Sequence, residues 1–252
     1  MIDYIKYNKQ ISNIESKRKE ISELIIKNST NIMNYKITKI SSKDIELMFK
    51  LYDRIFFDNW FKENYKGKLN FSLSKRMTKS AGKTICPRNI KNITQEELIL
   101  EIRMGVELFF NFDMIGGVKA VCGIQVNNSL EAMQLVFEHE LCHVIEFIHY
   151  KESNCKRYRF NSIANNLFGH TESYHQLPTN KEIAREKFGL SLGDEVSFIF
   201  EGKKAWGILY KINKRATVMV LDKNGHFVDN KGKRYSKYYV NLSLLKGQLN
   251  TL

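Results

Sequence analysis

The stretch from Leu130 to Tyr150 constrains this chain most, being too apolar for a loop and too ionisable at its centre for an ordinary core helix. Leu135, Val136, Phe137, Val144, Ile145 and Phe147 mark a buried helix, yet His139-Glu140-Leu141-Cys142-His143 sits in its middle. Burying such groups without partners is costly, so their presence needs a reason. Residues i and i+4 share one face of a helix, so both imidazoles can reach one ion. Glu140 projects about 100° around the axis from His139. There it can take a proton from an attacking water and return it to a leaving group. An HExxH string arises by chance in a chain of this composition with a probability of about 1%. Two histidines merely satisfied on a half-buried helix are therefore the weaker explanation. Zinc suits such nitrogen ligands and keeps an open position in catalytic sites, so one Zn2+ per chain is expected.

A third ligand is needed. Five of the six histidines fall between His139 and His175. His149 mimics a metzincin spacing, but Glu146 stands where that pattern has a chain-turning glycine. A continuing helix would point His149 away. His170 is the first choice: a helix at 157–168 folding back on the long helix would return its end to the level of His139. Gly169 would allow close approach there. Cys155, on the connecting loop, is the competitor, since thiolate is also a good zinc ligand. His175 is left for a supporting or substrate-side place.

Elsewhere the pattern reads as α+β. Ile11, Ile14, Ile21, Leu24 and Ile25 suit one amphipathic helix in a polar N-terminal extension, residues 1–40. A second helix is expected from Asp44 to Phe61, after the cap region Ser41-Ser42-Lys43-Asp44. Leu69–Leu73 reads as extended, with a turn at Ser80-Ala81-Gly82. In Leu98–Met104, residues Leu98, Leu100, Ile102 and Met104 alternate inward as in a strand. Val118–Val126 reads as one further strand, and Lys181–Phe188 as a short helix. From Gly193 onward short β-segments alternate with turns, which places a boundary near residue 190.

The pieces together resemble a SprT-like zinc metallopeptidase, the family that includes the Spartan DNA–protein crosslink proteases. The likeness spans roughly residues 45–185. Leu51-Tyr52-Asp53, the run from Leu69 to Gly82, the HELCH string, Arg159-Phe160 and the segment Ile163 to Thr171 carry it. The resemblance implies a zincin-like metallopeptidase domain over 41–190, with His139 and His143 as ligands and Glu140 as base. The family places its third histidine four residues before a phenylalanine equivalent to Phe160, where this chain has Lys156. The segment 191–252 is similar to small all-β barrels of the SH3 or KOW type.

Charge points to a partner. The chain carries a formal net charge of +13, which favours polyanions because each neutralised phosphate releases counterions. Residues 190–252 hold 11 Lys/Arg against 5 Asp/Glu. There Lys211, Lys214, Arg215, Lys233, Arg234 and Lys237 interleave with Tyr210, Tyr235, Tyr238 and Tyr239, a mixture suited to single-stranded or distorted DNA. The competing explanation is that the tyrosines complete a small core, and Trp206 is assigned to that core. Four cysteines without CxxC pairs, and neither a signal-like start nor an 18-residue apolar run, point to a cytoplasmic protein that spans no membrane. Three readings follow: a zinc endopeptidase acting on DNA-associated or DNA-crosslinked protein, a nucleic-acid-binding protein with a structural or inactive zinc, or a peptidase with ordinary soluble substrates.

Overall fold

The computed structural model describes residues 11–247. The first ten residues of the expected N-terminal extension, with the side chain of Ile11, lie outside them. The architecture is mixed α and β, and the chain divides into two compact units, Met1–Leu177 and Pro178–Leu252.

The first unit opens with α1 (Ile11–Asn28). Ile14, Ile21 and Ile25 are fully buried, so this helix is built into the core and is no separate extension. Helix α2 (Ser42–Phe56) starts where Asp44 Oδ2 accepts from the Ser41 N–H at 2.6 Å. It stops short of the expected Phe61 because Asp58 and Asn59 take left-handed backbone conformations. The Asp53 carboxylate then accepts from the N–H groups of Phe61 and Lys62, capping the short α3 (Trp60–Asn64).

A three-stranded sheet follows in the order β1-β3-β2, from β1 (Lys68–Ser74), β2 (Gly82–Ile85) and β3 (Ile99–Gly105). β1 runs parallel to β3 and β2 antiparallel to it. In the central strand and the residue before it, Leu98, Leu100, Ile102 and Met104 are all fully buried, as their alternation requires. Gly82, expected in a turn, instead opens the edge strand β2. A short α4 (Val106–Phe110) follows. The single strand expected over 118–126 is a hairpin, β4 (Lys119–Val121) and β5 (Ile124–Val126). Cys122 and Gly123 turn it with φ of 52° and 78°. Two consecutive positive-φ residues match the twist of a two-residue hairpin, which a strand cannot absorb.

The long helix α5 (Ser129–Tyr150) is capped by Asn128, whose side chain accepts from the Glu131 N–H, and ends at Lys151 with φ of 55°. Helix α6 (Tyr158–Phe168) packs back on it and closes at left-handed Gly169.

The second unit begins at Pro178, earlier than the expected boundary near 190. The cause is α7 (Asn180–Phe188), capped reciprocally by Thr179 and Glu182. Its Ala184 and Phe188 pack with Leu190, Val196, Phe198, Leu209 and Val218 in the second core. Six antiparallel strands follow: β6 (Glu195–Phe200), β7 (Lys203–Ile212), β8 (Ala216–Leu221), β9 (Phe227–Val228), β10 (Arg234–Val240) and β11 (Lys246–Gly247). Their order is β11-β6-β7-β8-β10-β9. From residue 191 onward the described elements are strands and one 3-10 turn, Leu242–Leu244, and their sheet has two edges, β11 and β9, where a closed barrel was expected. No helix among the described residues is long and apolar enough to cross a membrane.

Candidate metal centre

Helix α5 carries three acids that are almost wholly buried, Glu138, Glu140 and Glu146, around the half-buried His139 and His143. Their partners decide what each can do.

His139 Nε2 and His143 Nε2 face each other at 3.2 Å. Two nitrogens held about 2.0–2.1 Å from one tetrahedral ion stand about 3.3 Å apart, so this spacing fits a shared zinc. Phe160 of α6 packs on both rings, 4.8 and 4.5 Å between centroids, and restricts their rotation. Burial, then the neighbouring His143, pushes His139 down to about 3, and burial pushes His143 down to about 4. Both imidazoles are neutral at pH 7, the state a metal ligand requires.

Among the described residues, the group able to hold an ion is His139, His143 and Cys155, one ligand atom from each lying within 4.8 Å of the others. Cys155 thus stands where a third ligand could join the two imidazoles, and the first choice, His170, is not part of this group. The cause lies in Glu146. Its Oε2 accepts from Ser153 Oγ at 2.6 Å and from the Asn154 N–H at 3.2 Å, while Oε1 accepts from Arg159 Nε at 2.6 Å. One buried carboxylate thereby ties the 153–154 loop and the start of α6 to the long helix, which sets Cys155 beside the imidazoles. Ser153 Oγ also meets His143 Nδ1 at 2.6 Å, so the His143 ring is oriented through Ser153 by Glu146. On the other ring, His139 Nδ1 lies 3.9 Å from Cys122 Sγ at the hairpin turn.

His170 does return to the level of the motif, but on the wrong side of the helix. Its Nε2 meets Glu138 Oε2 at 2.8 Å, and Glu138 lies about 100° around the axis from His139. The same carboxylate accepts from Arg18 Nε at 2.7 Å and Tyr52 Oη at 2.8 Å. Burial alone would raise Glu138, yet Arg18 and His170 hold it below the usual carboxylate range. His170 itself is lowered by burial, more than Glu138 can offset, so it donates as a neutral imidazole. This is a compensated structural cluster.

Glu140 is the exception. Its partner is Thr84 of β2, whose Oγ1 donates to Glu140 Oε2 at 2.7 Å. Burial outweighs that bond and pushes the carboxyl up to about 7. A Cβ on Gly82 would stand 2.5 Å from Glu140 Oε1, so the glycine makes the room this carboxyl occupies. His149 points away, its ring 5.6 Å from Trp60, and His175 pairs through its backbone with Val121.

In the second unit, Lys233 and Lys237 line a groove with Tyr210 and Tyr235, while Arg215 lies in another with Tyr239. Arg234 donates to the Gly225 carbonyl at 3.2 Å, and Lys211 and Lys214 are exposed. Tyr238 turns to the core against Phe198 and Phe200, so the tyrosines divide between core and surface. Trp206, assigned to the core, is 46% exposed.

Family models, curated proteins and solved structures give no match to this chain. Sequence reasoning missed Arg18, Glu138, Glu146, Ser153 and Thr84. Two further glutamates on an apolar helix were the available signal for the first group.

Proposed function

We propose that the first unit is a zinc-dependent endopeptidase of the SprT-like kind, working in the cytoplasm on proteins bound or crosslinked to DNA, and that the basic second unit supplies nucleic-acid affinity. The observation that carries this reading is the pairing of a convergent His139–His143–Cys155 set with a buried carboxyl that no cation compensates. His139, His143 and Cys155 would hold a zinc ion, which would supply a Lewis acid for the scissile carbonyl. Glu140, buried beside the ligand pair and hydrogen-bonded to Thr84, takes the proton of the attacking water and passes it to the leaving amine. Thr84 fixes the carboxyl through its hydroxyl, and Phe160 and Ser153 hold the imidazoles in register.

A second reading, a nucleic-acid-binding protein with a structural zinc, is favoured by the thiolate. Its negative charge on the ion weakens Lewis acidity relative to a third imidazole. Glu140→Gln separates the two. The variant should keep its zinc and fold and lose cleavage of a denatured protein substrate by at least about 100-fold, because the amide cannot take the proton. Equal cleavage by variant and wild type removes the peptidase reading.

A further inference from the structure

The second unit presents an unusual surface. Trp206, Tyr210 and Phe227 are 46, 64 and 42% exposed, where most large aromatic rings are buried. Strand register puts them on one side of the sheet. Ile208 on β7 pairs with Met219 on β8, which pairs with Lys237 on β10. Tyr235 pairs with Leu221 on one side and Phe227 on the other. Trp206 shares the face of Ile208, two residues along β7. Tyr210, two residues further along, lies on that same face by strand alternation and lines a groove of about 890 Å³ with Ile208 and Phe227.

Cations sit on the rings. Lys237 Nζ stands 3.8 Å from the Phe227 centroid and Lys204 Nζ 4.4 Å from that of Trp206. Lys231 and Lys233 complete the rim. The rim's acid, Asp229, is committed to its own turn, accepting from the N–H groups of Lys231 and Lys233 and from Tyr235 Oη at 3.0 Å.

We propose that this face, β7-β8-β10-β9, is a binding platform for single-stranded nucleic acid, with Trp206, Tyr210 and Phe227 stacking on bases and the lysines meeting phosphates. The inference rests on the reading of the second unit as a nucleic-acid-binding element and specifies its surface and substrate. Charge complementarity selects a polyanion over a neutral apolar peptide. The separated ring faces select unpaired bases, because a duplex hides its base faces in its own stack. Lysines parked on the rings mark a surface ready to exchange a cation–π contact for a phosphate and a base.

The test is fluorescence anisotropy of the full chain with a fluorescein-labelled oligothymidylate, single-stranded or annealed to its complement, at two salt concentrations. The single strand should bind more tightly than the duplex, with affinity falling steeply as salt rises. Trp206→Ala with Tyr210→Ala should weaken single-strand binding about ten-fold or more. Tyr158→Ala, removing a ring that is 87% exposed in the first unit, should change nothing. Unchanged zinc content and circular dichroism in the double variant exclude misfolding. Wild-type strength in the double variant overturns this platform while leaving the second unit a nucleic-acid binder. Preference for the duplex overturns the assignment to unpaired bases. Failure of the wild-type chain to bind either form at low salt overturns both, and leaves the face to an acidic protein partner.

Discussion

Glu138 and Glu140 stand two residues apart on one buried helix and meet opposite fates. Glu138 is surrounded by Arg18, Tyr52 and His170 and stays ionised. Glu140 meets a threonine hydroxyl and the open backbone of Gly82, and is pushed up to about 7. Burial is nearly equal on the two sides, at 0 and 4% exposure, so the partners make the difference. A compensated carboxylate holds structure together, and an uncompensated one is available for proton transfer.

That contrast breaks first at Arg18. Arg18→Met leaves Glu138 as a buried charge without its guanidinium and should cost about 3–5 kcal/mol in urea unfolding. Adding Glu138→Gln should restore part of the loss, because the stranded charge is then gone. A single-variant cost under about 1 kcal/mol would show that Tyr52 and His170 suffice alone.

On the other side the effect is a pH dependence. The folded carboxyl of Glu140 is raised from 4.5 to about 7, so in the metal-free protein its contribution is most favourable below 4.5 and is lost as pH rises towards 7. His139 and His143 act in the opposite sense. Lowered from 6.5 to about 3 and about 4, they cost stability as pH falls below 6.5. Between about pH 4.5 and 7, metal-free Glu140→Gln should therefore gain on the wild type by about 1.4 kcal/mol per pH unit. Parallel stability curves would mean that Glu140 is not held protonated.

The smallest expected effect lies in the link from Glu146 to the ligand set. Ser153→Ala removes the hydroxyl between Glu146 and His143 and should weaken zinc affinity about ten-fold in chelator competition, with the fold intact. Unchanged affinity would reduce Ser153 to a loop tether.

Periodicity in the sequence exposes whatever is set by local pattern. The buried face of β3, the extent of α5 and the stop of α6 at Gly169 follow from alternation, helical spacing and a glycine cap. The HExxH pair follows from i, i+4 geometry. What stayed hidden depends on azimuth or on distant partners. His170 and Cys155 are both reached by one chain reversal, and only the anchoring of residues 153 and 154 by Glu146 selects the cysteine. Arg18 finds Glu138 across 120 residues of sequence, and no local signal announces it. Gly82 resembled a turn because a glycine that opens a strand against a carboxyl carries the same letter. Trp206 resembled core because an outward aromatic row alternates with the same period as an inward one.

The metal set proposed for the first unit is completed by Cys155. Cobalt substitution reports on it directly, because a bound thiolate gives an intense near-ultraviolet charge-transfer absorption that imidazole and carboxylate ligands lack. The wild-type chain should take up about one cobalt with that band, and Cys155→Ser should lose the band together with most of its zinc affinity. A wild-type cobalt form without the thiolate band, or a Cys155→Ser variant that keeps zinc at full affinity, would contradict the assignment.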